Sequence, residues 1–296
     1  MSDKPDLHWR TQADFTAARL KALFRELLAF LTGRRNELLA YSEVREKLRL
    51  GGPIYRGVQT VPIAQIIGSV DRYRDFDRAF LPKQDFLSER WQKVNRAWYQ
   101  DISLPPVLLY KVGEVYFVVD GHHRVSVARE KGQEAIEAEV RECAVRVPVT
   151  ADIAPEDLEI LGEKVEFLER TAIDRVRPEA QLAVTILGGY DRILEHIAVH
   201  RYFMGLEFQR DIGEAEAVAH WYDTVYLPIV KVIRESGILQ AFPGRTEADL
   251  YLWVLDHRHY LVEQGKANLV EPGQAAEEFV RALAGDEQAH AAAESV

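Results

Sequence analysis

Residues 105–132, PPVLLYKVGEVYFVVDGHHRVSVAREKG, constrain the fold of this 296-residue chain more than any other stretch. Two apolar, β-rich runs flank Lys111–Glu114 with Gly113 in the turn, which predicts a hairpin over 105–121. Asp120-Gly121 then leads directly into 123–132, a short helix closed by Gly132. Such a strand-to-helix turn brings the unpartnered N–H groups of a helix start to the end of a sheet. Those amides and the helix dipole both favour negative charge, so a phosphate fits there.

The side chains of this turn extend the same chemistry. Gly121 lets the backbone approach an anion closely. Arg124 can fork onto two phosphate oxygens, and Ser126 adds a hydroxyl in the first turn. His122 and His123 can bind an anion or carry protons, and bound phosphate would raise their pKa values. Asp120 can orient a histidine, hold a metal or take a proton from a hydroxyl. The expected catalytic set is therefore Asp120, His122 and His123. The expected phosphate-binding set is Gly121, His122, His123, Arg124 and Ser126, joined by Arg72 and Arg74 from the charged stretch DRYRDFDRAF. The plain alternative for that stretch is a solvated loop whose charges pair with one another.

The elements around the turn alternate. Residues 14–48 are predicted as helix with a break or bend at Gly33, ended by Gly51-Gly52-Pro53. The first helix carries a wide apolar stripe, Ala18, Leu20, Leu23, Phe24, Leu27, Leu28 and Leu31, which must pack on the back half or on a second copy as a homodimer. VQTVPIAQIIGSV (58–70) begins as a strand and turns helix-like around Ile63–Ile67. A helix is expected at 88–100 and a strand at 135–143. Beyond residue 150 the pattern is helical, with helices at 190–206, 213–236, 246–263 and 273–284, a linker at 268–274 and a short strand within 178–194. The fold class is α+β. An N-terminal helical segment (1–50) precedes a small mixed-sheet domain (51–149) and a mainly helical domain (150–290).

Composition narrows the function classes. Cys143 is the only cysteine, which excludes multi-thiolate metal sites and an internal disulfide. No apolar run approaches a membrane span and the first residues have no apolar signal core, so no membrane partner and a cytoplasmic location are expected. The net charge of −10 is uneven. Residues 1–149 hold 24 Lys and Arg against 20 Asp and Glu; the totals of 37 and 47 leave 13 against 27 for the rest. A polyanion should therefore meet the front half.

Residues 58–147 resemble the ParB/sulfiredoxin superfamily. VQTVPIAQII is similar to its opening strand and short helix, and LPPVLLYKVGEVYFVVDGHHRVSVAREKGQEAIEAEVRE to its hairpin, signature box, helix and last strand. Gly121, His122, His123 and Arg124 fall on the G-E-R-R box with which ParB proteins bind nucleotide phosphates. Histidine 122 stands at the place of the sulfiredoxin cysteine, so the resemblance does not extend to sulfinic acid reduction. The D-G-H-H-R wording is closer to the ParB-like free serine kinases, where an acid from the loop after the first helix assists the substrate hydroxyl. Asp71, Asp75 and Asp77 occupy that loop here. The whole chain also resembles a bacterial family with a ParB-like front half and a helical back half. The resemblance implies a phosphate- or nucleotide-binding protein, suited to phosphoryl transfer or hydrolysis with a magnesium ion. A ParB-type DNA-binding regulator or nuclease is the first alternative, and a non-catalytic scaffold the second.

Two weaker motifs remain. His196 and His200 stand four apart on one helical face, and His220 or the His257–His259 pair can supply a third ligand. Two histidines do not make a metal site, and neighbouring Tyr202, Phe203, Trp221, Tyr222 and Trp253 suggest core edges instead. Gly188-Gly189-Tyr190 is either a second anion turn or a plain start to a helix.

Overall fold

The hairpin forms the centre of a six-stranded mixed sheet in the computed structural model of the chain, which describes residues 5–33, 36–263, 278, 279 and 281. The chain divides into two compact units, Met1–Leu161 and Gly162–Val296.

The first unit opens with α1 (Pro5–Thr32), a helix nine residues longer at its start than its apolar period predicts. Gly33 ends it with φ +66. The helix expected to resume over 36–48 is instead a two-residue strand, β1 (Leu39–Ala40), followed by α2 (Tyr41–Lys47). Next come β2 (Ile54–Pro62), a single 3-10 turn at Ile63–Gln65, and β3 (Ile66–Ser69). The helix-like spacing at Ile63–Ile67 thus amounts to one turn before a buried strand. Then follow α3 (Ser88–Tyr99), β4 (Val107–Val112), β5 (Val115–Asp120), α4 (His122–Glu130) and β6 (Ala135–Cys143).

The strand order is β1-β3-β5-β4-β6-β2. β3 runs parallel to β5, β4 antiparallel to β5 and parallel to β6, and β2 antiparallel to β6. β3 and β5 can approach because Gly68 has no side chain: a Cβ there would lie 2.3 Å from the Phe117 ring. Phe15, Ala18 and Ala22 of α1, Trp91 of α3 and Val125 and Val127 of α4 share one core with Val107, Leu109, Val118 and Val140 of the sheet. Tyr41 of α2 packs on Tyr110 and Phe117, and its hydroxyl meets the buried Cys143 thiol at 3.2 Å.

Two carboxylates, Asp77 buried and Asp14 half-buried, fix α1 to this unit. Asp77 accepts the Ala79 and Leu81 amides on Oδ1, and Arg25 and Asn36 on Oδ2. Burial pushes the Asp77 carboxyl up, against the pull of these donors. Asp14 Oδ2 accepts from Asn95, Tyr99 and Lys131 at 2.7–2.8 Å. Only one side of α1 is consumed in this way. Thr11, Phe15, Ala18 and Ala22 are buried, whereas Leu20, Leu23, Phe24, Leu27, Leu28 and Leu31 from the expected packing stripe stay exposed.

The second unit is helical: α5 (Asp157–Thr171) runs into it, followed by α6 (Ile173–Val176), α7 (Gly189–Phe208), α8 (Glu214–Trp221), α9 (Leu227–Ser236) and α10 (Glu247–Glu263). α8 and α9 are joined by a π turn, Tyr222–Tyr226, so the helix expected over 213–236 is continuous but locally underwound to i→i+5. Trp221 and Tyr222 are buried as the aromatic pattern suggests and Trp253 is half-buried, while Tyr202 and Phe203 are exposed. No strand forms within 178–194. Backbone amides there bond to side chains instead: Thr185 N to Asp249 and Val184 N to the Tyr190 hydroxyl. The expected linker and most of the helix at 273–284 lie outside the described residues; Glu278, Phe279 and Arg281 are helical.

Candidate functional site

Asp120 ends β5 and Gly121 turns the chain into α4. Gly121 has φ +101 and ψ 20, the left-handed region that favours glycine. A Cβ there would also meet Val107 Cγ1 at 2.5 Å and Arg124 Nε at 3.0 Å. Val125 makes the first intrahelical bond, to Gly121 O at 3.0 Å. The amides of His122, His123 and Arg124 belong to the helix start that has no intrahelical acceptor.

Both histidines are buried, and their neighbours define what they can do. His122 Nε2 lies 2.8 Å from Ser69 Oγ at the end of β3 and 3.8 Å from Asp71 Oδ1. Its ring stacks on Phe76 at 6.1 Å and 17°. Ser69 Oγ also accepts the Arg72 amide at 2.9 Å, which fixes the start of the charged loop beneath the histidine. His123 meets Phe76 edge-on at 5.6 Å. Its Nε2 faces Arg72 Nη1 at 3.4 Å, so the arginine donates and Nε2 accepts. The neutral ring then carries its proton on Nδ1, which is buried and has no partner.

Burial is the main cause that pushes His122 down to about 4, with Asp71 opposing it. Burial likewise takes His123 to about 4, reinforced by Arg72, His122 and Arg90. At neutral pH both rings are uncharged. The positive field at the turn therefore comes from Arg72, Arg90, Arg124 and the helix start rather than from imidazolium.

The remaining expected residues divide. Arg124 is engaged locally: its guanidinium donates to the Pro105 carbonyl, to Pro106 O at 2.9 Å and to Asp120 Oδ2 at 2.6 Å. It pins the approach to β4 against the turn. Arg72 stands at the site, tied to Asp75 at 3.1 Å. Arg74 is exposed and lies over the Tyr73 ring at 5.5 Å, not against either histidine. Ser126 is buried on the core side, where Oγ accepts the Trp91 indole N–H at 2.9 Å, so its hydroxyl oxygen serves packing. Of the loop acids, Asp71 reaches His122, Asp75 holds Arg72, and Asp77 is the buried α1 anchor. Ser69, Phe76 and Arg90 were not singled out from sequence. The only sequence hint of Ser69 is that Gly68-Ser69 closes an apolar run just before the charged loop.

Asp71 and Asp120 are the two open carboxylates here, with side chains 69% and 77% exposed. Among the described residues no group of three or more His, Cys, Asp or Glu could hold a metal ion. His196 and His200 part company: His196 Nδ1 meets the Tyr251 hydroxyl at 3.2 Å, and His200 Nε2 meets His220 Nδ1 at 2.8 Å. His257 packs on Phe279, and the side chain of His259 lies outside the described residues. Gly188 caps α7 with φ +77, and its amide is taken by Glu163 at 2.8 Å, as a helix start rather than an anion turn. No helix among the described residues is long and apolar enough to cross a membrane. No protein-family model matches the chain, and no curated protein matches it.

Proposed function

We propose that the protein binds the phosphate of a nucleotide or other phosphorylated ligand at the start of α4. The observation that carries this reading is the juxtaposition of Arg72 with the start of α4. Arg72 Nη1 meets His123 Nε2 at 3.4 Å, at a helix start whose first amides have no intrahelical acceptor. A ligand oxygen is a partner that the amides and the arginine can share. Arg72 supplies a cation from the charged loop, and the Gly121 turn keeps the backbone free of side-chain bulk.

The fit to a magnesium ion is limited but adequate for one that arrives on a nucleotide, because such an ion takes only one or two protein carboxylates. Asp120 would hold it, and when bound it would neutralise developing charge on the phosphate. For a transfer step, Asp71 is the better acid–base residue. Its neighbour His122 is neutral, whereas Asp120 is tied to Arg124. Ser69 and Phe76 position His122, and His123 accepts from Arg72 and holds the guanidinium at the turn.

A thermal-shift panel of mono-, di- and triphosphates, with and without magnesium, tests this on wild type and on Arg72→Gln. Ligand at a hundred times its Kd adds about 2.7 kcal/mol, or roughly 5–10 °C in Tm. Arg72→Gln should fold and lose most of that shift. If no phosphorylated compound at millimolar concentration moves the wild-type Tm, the reading fails.

A further inference from the structure

The outward side of α1 poses a separate question. With about 100° of turn per residue, Thr11, Phe15, Ala18 and Ala22 fall within about 60° of the helix circumference. These are the buried contacts of α1 with its own unit. Leu20, Phe24, Leu27 and Leu31 fall within a second arc of about 60°, roughly 180° away. Leu23 and Leu28 flank that arc. These six side chains are 44–70% exposed, and neighbouring Phe30 is 84% exposed. No charged residue shares the arc between Leu20 and Leu31.

The order of this stretch, LKALFRELLAFL, is close to a palindrome. Counting inward from both ends, Leu20 mirrors Leu31, Ala22 mirrors Ala29, Leu23 mirrors Leu28 and Phe24 mirrors Leu27. A two-fold axis between Arg25 and Glu26 maps the apolar arc onto itself. That is what an isologous contact requires, where residue i meets j and j meets i. The 4-3-4 spacing of Leu20, Phe24, Leu27 and Leu31 is also the spacing of a helix–helix seam.

We infer that two copies of the chain associate through antiparallel α1 helices, with Leu20 opposite the partner's Leu31 and Phe24 opposite the partner's Leu27. The exposed parts of the six side chains amount to roughly 600–700 Å² per copy, most of the ~800 Å² per partner that a standard interface buries. The chain's own tail is a poor substitute. Residues 264–296 offer only Leu269, Val270, Phe279, Val280, Leu283 and Val296 as large apolar groups. Of these, Phe279 is already buried against His257.

Light scattering after size exclusion, with the full chain at roughly micromolar concentration, should give twice the 33.8 kDa chain mass. Phe24→Glu and Leu27→Glu should each give a monomer with unchanged helix content, since neither side chain is buried. Trp9→Glu is the control: Trp9 is 71% exposed but lies outside the palindrome, so the dimer should persist. The register has its own test. A Leu20→Cys, Leu31→Cys double variant should oxidise to a covalent dimer. Within one chain the two thiols would be about 16 Å apart along the helix, too far to bridge. Leu20→Cys alone should stay unlinked. A monomeric wild type, or a dimer indifferent to Phe24→Glu and Leu27→Glu, overturns the inference. A covalent dimer from Leu20→Cys alone overturns the antiparallel register.

Discussion

Replacing Gly121 with alanine tests the geometry on which the site depends. Two costs arise together. A non-glycine residue at φ +101 is strained by about 1–3 kcal/mol. Its Cβ also lands 2.5 Å from Val107 Cγ1 and 2.9 Å from Val107 Cβ, in a packed core where overpacking costs about 1–3 kcal/mol. Gly121→Ala should therefore lose about 2–6 kcal/mol. Gly132→Ala is the matched control: φ is +71, but nothing lies within 4 Å of its Cβ, so about 1–2 kcal/mol is expected. Val107→Ala separates the two terms, because it removes Cγ1 and leaves the backbone strain. The double variant should lose about 1–2 kcal/mol less than the two single losses together. Native-state hydrogen exchange in β5 and α4 is the suitable assay, since a chain of two units need not unfold in one step. If Gly121→Ala costs no more than Gly132→Ala, the turn is not held against Val107 and the anion-site geometry falls with it.

Two further perturbations probe the same unit. His122 and His123 sit near 4 in the folded chain against 6.5 as the ordinary value. Between those limits the unfolded chain binds protons that the native state refuses, so stability falls as pH drops from about 6.5 towards 4. Each ring contributes about 3 kcal/mol at most. Unfolding followed against pH should show this slope weakened in His122→Gln and in His123→Gln, and an unchanged slope in both would refute it. Asp77→Ala strands the Ala79 and Leu81 amides and the Arg25 guanidinium, so denaturant melts should report a loss of about 3 kcal/mol or more.

Local rules carried the hairpin, α4 and β6, because Val107–Val112, Val115–Asp120 and Ala135–Cys143 have strong apolar patterns bounded by glycines. They failed where partners are remote. Leu39–Ala40 continues a helical period, yet a parallel neighbour, β3, claims its backbone. At 178–188 the competition ran the other way: Asp249 and Tyr190 satisfy amides that a strand would have paired. The site divides likewise. The turn at Gly121 is written in adjacent residues. The engagement of Arg124 by prolyl carbonyls 18 and 19 positions away is not, nor is the Ser126–Trp91 bond. Which apolar groups of α1 face its own unit is not legible in the period either: alanines and a phenylalanine make the inner contact while the leucines face out.

The strand order also sets a timetable. Among the described strands β2 lies at the sheet edge and its one neighbour is β6: Pro62 pairs with Ala135 and Ile54 with Glu142. A ribosome must add roughly 70–90 residues after β2 before that neighbour exists, about 4–18 s at ordinary elongation rates of ~5–20 residues per second. Throughout that interval Ile54, Tyr55, Val58 and Val61 form an unpaired strand on a nascent chain, open to chaperones or to other nascent chains. For this protein, the pairing of β2 cannot begin until β6 has been made.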